Sequence, residues 1–351
     1  MKYTFFSPKT QFENVGDTLI NRELIDLCIK NSKLYLDVSR CPDDFKKSLG
    51  LSYSENTINT CDKNYFYFFI KIIFMRVIGK ECYYFLSPGG YFGEIAGKAL
   101  ISKYINTLVI AFLYFIGVKV CHVGVSYERL GSKNILLLKL REKLLWKHIV
   151  RDKITLDYIS KLGFSTRLTM PDLAFNIFDN KSDYPKKRNG ILFSFRCDQY
   201  ENQKDEVLKI IKIIDDNFPE SEPVCFYSQV ERDVKYMKEV ASIFSVSSNR
   251  KVSFCFIDGD IDRSIEYLSS FNYVVSNRLH VLLMSASAGV NCTPLVSKEY
   301  NKKVEGIFSD NIIHSHCNNE EYIIDAIFSP HQLDENNSFD KLEKVFVSIY
   351  E

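Results

Sequence analysis

Tyr273-Val274-Val275-Ser276-Asn277-Arg278-Leu279-His280-Val281-Leu282-Leu283-Met284-Ser285-Ala286-Ser287-Ala288-Gly289 is the stretch on which the fold assignment turns. Its first four residues are aromatic or β-branched and short in run, which predicts a buried strand. Leu279, Leu282, Leu283 and Ala286 recur at helical spacing, and Val281, Met284 and Ala288 fill the other side. That pattern predicts a helix buried nearly all round, with Gly289 as its stop. Asn277, Arg278 and His280 lie where strand hands over to helix. The first turn of a helix has unpaired N–H groups and a partial positive charge, so Arg and His there make an anion site. The alternative is that Arg278 pairs with a nearby carboxylate and His280 is a hydrogen-bonded core histidine.

Working outward, the same alternation recurs. After the stretch, Val290–Val296 predicts a strand. Before it, strands at Gly190–Phe195, Pro223–Tyr227 and Val252–Ile257 alternate with helices at Gln203–Asn217, Val230–Phe244 and Asp262–Ser270. The first half repeats the pattern. Strands at Lys2–Ser7, Lys33–Ser39, Cys82–Leu86 and Lys119–Ser126 alternate with helices at Thr18–Lys30, Tyr65–Gly79, Ile95–Gly117 and Asn134–Lys147. A short strand ending at Val150-Arg151-Asp152 and a helix over Lys153–Leu162 follow, and Arg40–Lys63 is irregular. Strands alternating with helices of ten or more residues predict βαβ units and parallel sheets. The fold class is therefore α/β, with two Rossmann-like domains of parallel sheet facing across a cleft. The charged, Pro-containing stretch Asp179–Asn189 separates them. The expected division is an N-terminal, acceptor-side domain over residues 1–180 and a C-terminal, donor-side domain over 190–330. A last helix within 331–351 packs back on the first domain.

Composition sets limits. The chain has 351 residues, a length that suits two domains, and a net charge of +1, which implies no polyanion-binding face and no nucleic-acid partner. Ten cysteines include no Cys-x-x-Cys pair, so no zinc ribbon or redox motif is expected, and no metal site. The start, Met1-Lys2-Tyr3-Thr4-Phe5-Phe6, lacks the apolar run of a signal peptide, and a reducing cytoplasm is the expected compartment. Leu108–Gly117 is apolar but short, and Tyr65–Ile78 is broken by Lys71 and Arg76. Neither reaches the ~18–20 uncharged residues of a spanning helix. Both are expected to be buried helices, with Tyr65–Ile78 alternatively lying at the inner face of the membrane.

In open α/β sheets ligands bind beyond the carboxyl ends of the strands. There the sequence places Asn14, Gly16 and Asp17, the Gly-rich turn Ser87–Gly93 with Gly89 and Gly90, and Ser126. It also places Arg151, Arg196, Ser228, and Arg278 with Asn277 and His280 there. Asp17 is either the N-cap of the first helix, a site residue, or both. There is no Gly-x-x-x-x-Gly-Lys and no Gly-x-Ser-x-Gly, and Gly89-Gly90-x-x-Gly93 has the wrong spacing for a dinucleotide fingerprint. A basic, glycine-lined cleft suits a small phosphorylated or nucleotide-linked donor.

Several of these segments occur in the order of one family. Asn14-Val15-Gly16-Asp17, Ser87-x-Gly89-Gly90, Val150-Arg151-Asp152 and Pro171-Asp172-Leu173-Ala174-Phe175 all resemble the polysaccharide pyruvyl transferases. The most specific match is Ser276-x-Arg278-Leu279-His280 followed by Ala286-x-x-Gly289-Val290. Three positions depart from the pattern: Glu13, Thr155 and Pro88. The resemblance implies a GT-B-like fold and transfer of the enolpyruvyl part of phosphoenolpyruvate to a sugar of a cell-surface polysaccharide precursor, forming a ketal. It implies no cofactor beyond that donor, and a lipid-linked or nucleotide-linked sugar as acceptor. Arg278 would then clamp the donor, with Arg196, Arg151 and Asn277 beside it. His280 would supply a proton, and Asp17 would act as base or sugar ligand. Two other functions compete: a glycosyltransferase using a nucleotide sugar, and a glycan-assembly scaffold held on the membrane through Tyr65–Ile78.

Overall fold

The computed structural model describes residues 1–50, 57–58, 65–94, 96–179, 187–196, 204–296, 302–305, 307–308, 312–328 and 335–351. Most of the charged stretch 179–189 (residues 180–186) and part of the irregular stretch 40–63 lie outside the described residues. The elements of the first half are β1 (Lys2–Phe6), α1 (Val15–Asn31), β2 (Lys33–Leu36), α2 (Asp43–Ser48), β3 (Thr57–Ile58), α3 (Tyr65–Val77) and β4 (Glu81–Phe85). They continue with β5 (Gly89–Gly93), α4 (Gly97–Phe115), β6 (Lys119–Leu130), α5 (Ser132–Glu142), β7 (Lys147–Val150), α6 (Lys153–Lys161) and β8 (Leu168–Thr169). A 3-10 turn over Leu173–Asp179 leads into β9 (Ile191–Ser194), α7 (Lys204–Asn217), β10 (Val224–Ser228), α8 (Glu231–Ser247), β11 (Val252–Phe256), α9 (Ile261–Ser269) and β12 (Tyr273–Ser276). The chain closes with α10 (Leu279–Ser287), β13 (Asn291–Val296), α11 (Lys302–Glu305), β14 (Ile313–His314), α12 (Glu320–Phe328) and α13 (Glu335–Tyr350).

These elements form two compact units. One comprises Met1–Phe12, Leu19–Leu173 and Asn337–Glu351, and the other Glu13–Thr18 and Ala174–Asn336. The first holds a parallel sheet in the order β3-β2-β1-β4-β6-β7-β8, with β5 paired to β6. The second holds a parallel sheet in the order β11-β10-β9-β12-β13-β14. Strand order reverses between β1 and β4 in one sheet and between β9 and β12 in the other. Those are the topological switch points, where crossover helices leave for opposite faces and a crevice opens at the strand ends.

Alternation along β4 shows how the first sheet is covered. Cys82 and Tyr84 pack with Phe68, Ile72 and Met75 of α3 and with Ile110 and Leu113 of α4. Tyr83 and Phe85 point to the other face, where they meet α13: the Phe85 and Phe346 rings stack at 5.7 Å and Tyr83 lies 4.7 Å from Tyr350. Lys2 Nζ donates to the Tyr350 carbonyl, and Thr4 Oγ1 lies 2.8 Å from the Tyr350 hydroxyl. In the second unit, α7, α8 and α12 bury Ile211, Met237 and Ile327 against Phe193 and Phe226 of the sheet.

Two local expectations are corrected. Gly89–Gly93, read from its glycines as a turn, is strand β5, paired in parallel with Val125–Leu130 of β6. Glycine has little strand propensity of its own, and β6 supplies the partner that overrides it. The second correction concerns burial: Leu108–Gly117, expected to be buried, lies in α4, the helix the sequence placed over Ile95–Gly117, and leaves Leu108, Phe112 and Phe115 exposed. Lys98 and Lys103 interrupt its hydropathy but not its helix. Short elements such as β8, β14 and α11 carried no periodic signal.

A polar chain is buried in the first sheet. Tyr127 Oη lies 2.8 Å from His148 Nε2, and His148 Nδ1 lies 3.3 Å from Glu142 Oε1. His122 stacks on His148 at 5.9 Å, and burial, followed by the charges of His148 and Arg141, pushes its pKa well below the ordinary value. Burial alone would raise Glu142, but hydrogen bonds from His148 and the Ser165 and Thr166 amides hold it below the usual carboxylate range. A base whose folded pKa is depressed resists the proton that the unfolded chain accepts. The His122 contribution is thus intact above the unfolded value of about 6.5 and is lost as pH falls below it, at up to ~1.4 kcal/mol per pH unit. Glu142 adds its own loss only at lower pH, below its unfolded range. Trp146, the only tryptophan, sits in this unit and donates to the Ile349 carbonyl at 3.0 Å, so its fluorescence reports the unit's unfolding. Urea titrations followed at Trp146 are expected to show stability falling from pH 6.5 to 5.5, and His122→Gln is expected to flatten that decline.

Candidate functional site

The second switch point gathers polar residues from three adjacent strands. Ser276, closing β12, donates its hydroxyl to the Ser194 carbonyl at 2.6 Å and accepts from the Arg278 amide at 2.9 Å. This pair of hydrogen bonds turns the chain from strand into helix and fixes Arg278 as the N-cap of α10. Asn277 Oδ1 accepts from the Arg196 amide at 2.8 Å, tying the ends of β9 and β12 together across the switch point. From the end of β10, Ser228 Oγ donates to the Val230 carbonyl at 2.8 Å, which shapes the entry to α8 and places Asp233 in its first turn.

Asp233 changes the role of Arg278. Both side chains are buried, and Arg278 Nη2 forms an ion pair and hydrogen bond with Asp233 Oδ2. The alternative in which Arg278 meets a carboxylate is therefore the one observed, although the partner lies 45 residues upstream. Its charge is largely offset, so it braces the start of α10 against α8. Removing one partner of a buried pair strands the other, at a cost of about 3–5 kcal/mol. Arg278→Ala is therefore expected to lower chemical stability by about that amount. Combining it with Asp233→Leu should recover part of the loss, a coupling that a urea double-mutant cycle measures.

His280 stands apart from that pair. It is half-buried in the first turn of α10. A methyl group at Gly16 would fall 2.0 Å from His280 Nδ1. The ring thus occupies the space a side chain at position 16 would need, and only glycine leaves room for it. Residues Glu13–Thr18 belong to the same compact unit as α10. The segment is held by Asn14: its Oδ1 accepts from the Gly16 amide at 3.0 Å, and its carbonyl accepts from the Thr18 amide at 2.9 Å. Asn14, rather than Asp17, is consequently the residue that caps α1, and Asp17 lies inside the helix's first turn. Asn14 before a helical run was signal enough for that cap. Gly16 was expected to let a ligand approach; its close neighbour is instead an imidazole.

The remaining residues named from sequence lie in the first unit. Arg151 is buried and donates Nη1 to Asp172 Oδ2 at 2.8 Å, while its neighbour Asp152 caps α6 by accepting from the Thr155 amide at 2.6 Å. Arg151 Nη2 makes no hydrogen bond among the described residues. The Arg151-Asp152 and Pro171-Asp172 segments are thus two sides of one buried contact. Gly89 and Gly90 follow β4 at the first switch point, beside Ser87, whose hydroxyl accepts from the Lys9 amide at 2.8 Å. No group of three or more His, Cys, Asp or Glu side chains able to hold a metal ion occurs among the described residues.

The profile of a family described as Polysaccharide pyruvyl transferase matches residues 14–299, a span that runs from the cap of α1 through His280 and beyond β13. The chain belongs to that family. It is accordingly a transferase of the polysaccharide pyruvyl transferase type. No curated protein sequence matches it. Solved structures share its architecture at low identity. Alr3699/HepE from Anabaena in complex with UDP is 11 % identical with a TM-score of 0.56, covering 99 % of this chain and 95 % of that one. UDP-GlcNAc 2-epimerase from Methanocaldococcus jannaschii, in complex with UDP-GlcNAc and UDP, is 13 % identical with a TM-score of 0.54 over 100 % of both chains. The enzyme from Neisseria meningitidis bound to UDP-GlcNAc is 10 % identical with a TM-score of 0.55. The fold of this pyruvyl transferase family member is thus that of the GT-B enzymes, with two parallel-sheet α/β domains.

The Gly16–His280 contact gives the site a direct test. Gly16→Ala should push the imidazole aside without unfolding the chain, since the ring can rotate where backbone could not. Misplacement of a catalytic group by an ångström costs up to ~100-fold in rate. The expected result is a fall in turnover of that order with a shift in melting temperature of only a few degrees, read by activity assay and thermal denaturation on the same sample.

Proposed function

We propose that this family member transfers the pyruvyl unit of phosphoenolpyruvate to a sugar of a surface-polysaccharide precursor, giving a cyclic ketal and inorganic phosphate. The observation that carries the proposal is His280 at the N-terminal turn of α10, close over Gly16, with the Arg196–Asn277 hydrogen bond joining the ends of the paired strands β9 and β12 at the same switch point. In this scheme protonated His280 delivers a proton to the methylene carbon of the enol, and the adjacent carbon becomes an oxocarbenium-like centre. One sugar hydroxyl attacks that centre and the bond to phosphate breaks. A second hydroxyl then closes the ring. Of the two hydroxyl protons, one restores His280 and the other leaves with phosphate. An imidazole suits this exchange because its ordinary pKa near 6.5 lets it give and regain a proton at neutral pH. Arg196 and the amides opening α10 would hold the donor's carboxylate and phosphate. Arg278, offset by Asp233, keeps that helix end in place. Asp17 would bind or deprotonate the sugar.

A second reading has one observation in its favour: solved structures with this fold hold UDP or UDP-GlcNAc. Under it the same helix end would take the diphosphate of a nucleotide sugar, as donor in a glycosyl transfer.

The deciding experiment supplies phosphoenolpyruvate and lipid-linked or nucleotide-linked precursors, measures released phosphate and weighs the product. A mass gain of one pyruvyl group is expected, together with at least ~100-fold slower release in His280→Ala. Near wild-type turnover by that variant would remove His280 from the mechanism. A gain of a hexose from UDP-sugars, with no phosphate from phosphoenolpyruvate, would establish the second reading instead.

A further inference from the structure

Helices α3 and α4 lie on the same face of the first sheet. Phe68, Ile72 and Met75 of one and Ile110 and Leu113 of the other share a single buried cluster. Arg76 Nε of α3 donates to the Ile116 carbonyl at the end of α4 at 3.1 Å, which joins the two at one end. Their outer faces should then be polar. They are not. Phe66, Ile70 and Phe74 follow one another at four-residue steps on the exposed side of α3, and Phe66 is 70 % exposed. Ile105, Leu108 and Phe112 continue the surface along α4, where Leu108 is 70 % exposed. The result is an aromatic and aliphatic surface that runs about 21 Å along α4, from Ile101 to Phe115 at ~1.5 Å per residue. Contiguous apolar surface on that scale marks an interaction site.

The charges around it select the occupant. Neither helix contains an Asp or a Glu; Lys71 and Lys98 flank the surface, while Arg76 and Lys103 turn inward, onto the Ile116 carbonyl and the Tyr91 ring. Lys71 Nζ lies 5.6 Å from the Phe74 ring, so its stem lies along the apolar face with the ammonium at the rim. A second copy of the chain seated here would bring one acid-free basic face against another. An anionic surface complements it. A bilayer also fits better than a crossing of the membrane by α4. That helix is long and apolar enough to span, and only 17 % of its apolar window is buried. Yet Arg141 clamps it to the domain, donating Nε to Thr107 Oγ1 at 2.7 Å and Nη2 to the Lys103 carbonyl at 2.6 Å. Insertion across a bilayer would strip those bonds and the core contacts of Ile110 and Leu113, whereas docking flat preserves them.

We propose that the α3–α4 face docks the protein on the surface of a bilayer rich in anionic lipid, with Phe66, Ile70, Phe74, Ile105, Leu108 and Phe112 entering the interface. Interfacial helices with an apolar face and basic flanks bind by this combination of burial and charge. The inference concerns the first unit alone and stands whether or not the transfer chemistry above is correct. Full-length protein is to be floated with vesicles of phosphatidylcholine alone and of phosphatidylcholine mixed with phosphatidylglycerol, at low and high salt. Flotation with the mixed vesicles, weakened by salt, is expected. Phe74→Glu and Leu108→Glu, both at exposed positions, should each reduce vesicle binding at least ~10-fold with unchanged melting temperature. Wild-type protein left at the bottom of the gradient with both vesicle types would overturn the proposal. So would retained binding in a double variant that combines Phe74→Glu with Leu108→Glu. A wild-type dimer that the double variant dissociates, seen by sedimentation velocity without vesicle binding, would assign the face to a second copy instead.

Discussion

The close approach of the His280 ring to the Gly16 backbone is the constraint around which the candidate site is arranged. It demands a residue without a side chain at position 16, a cap at Asn14 that sets the backbone of that turn, and a strand–helix junction that delivers His280 to it. The junction depends in turn on Ser276, which bonds both the neighbouring strand and the Arg278 amide. Arg278 and Asp233 lock the base of the same helix from beneath. Arg278 sets its charge against a carboxylate, while His280, two positions on, lies half-buried over Gly16.

This division inverts the emphasis of the sequence. An arginine at a helix N-terminus is the obvious anion clamp, and nothing local to Ser276–His280 announces Asp233. The partner comes from α8, on a different crossover, and only the sheet order β10-β9-β12 brings the two together. Arg151 has the same history, since its carboxylate, Asp172, is 21 residues away. Long-range ion pairs of this sort are invisible to periodicity.

What was legible followed from period and punctuation. The alternation of strand and helix, the parallel sheets and the buried helix after Tyr273–Ser276 all leave local marks in the chain. What was not legible came from partners. Gly89–Gly93 becomes a strand because β6 is there to receive it. The outer faces of α3 and α4 defy the usual equation of apolar sequence with interior: both helices bury one stripe and expose another, and composition does not distinguish the two.

The discontinuous first unit carries a consequence for biogenesis. Tyr83 and Phe85 of its sheet are covered by Phe346 and Tyr350 of α13, and the whole of the second sheet lies between them in the chain. On the ribosome, the earlier strands therefore emerge with one aromatic face bare, and they stay so while some 160 residues of the other unit, Ala174–Asn336, are made. Residues Ala174 onward can collapse as they appear, whereas the amino-terminal sheet is completed only by the closing helix. Nascent chains that stall before Asn337 should accordingly be clients for chaperones that shield exposed aromatic surface.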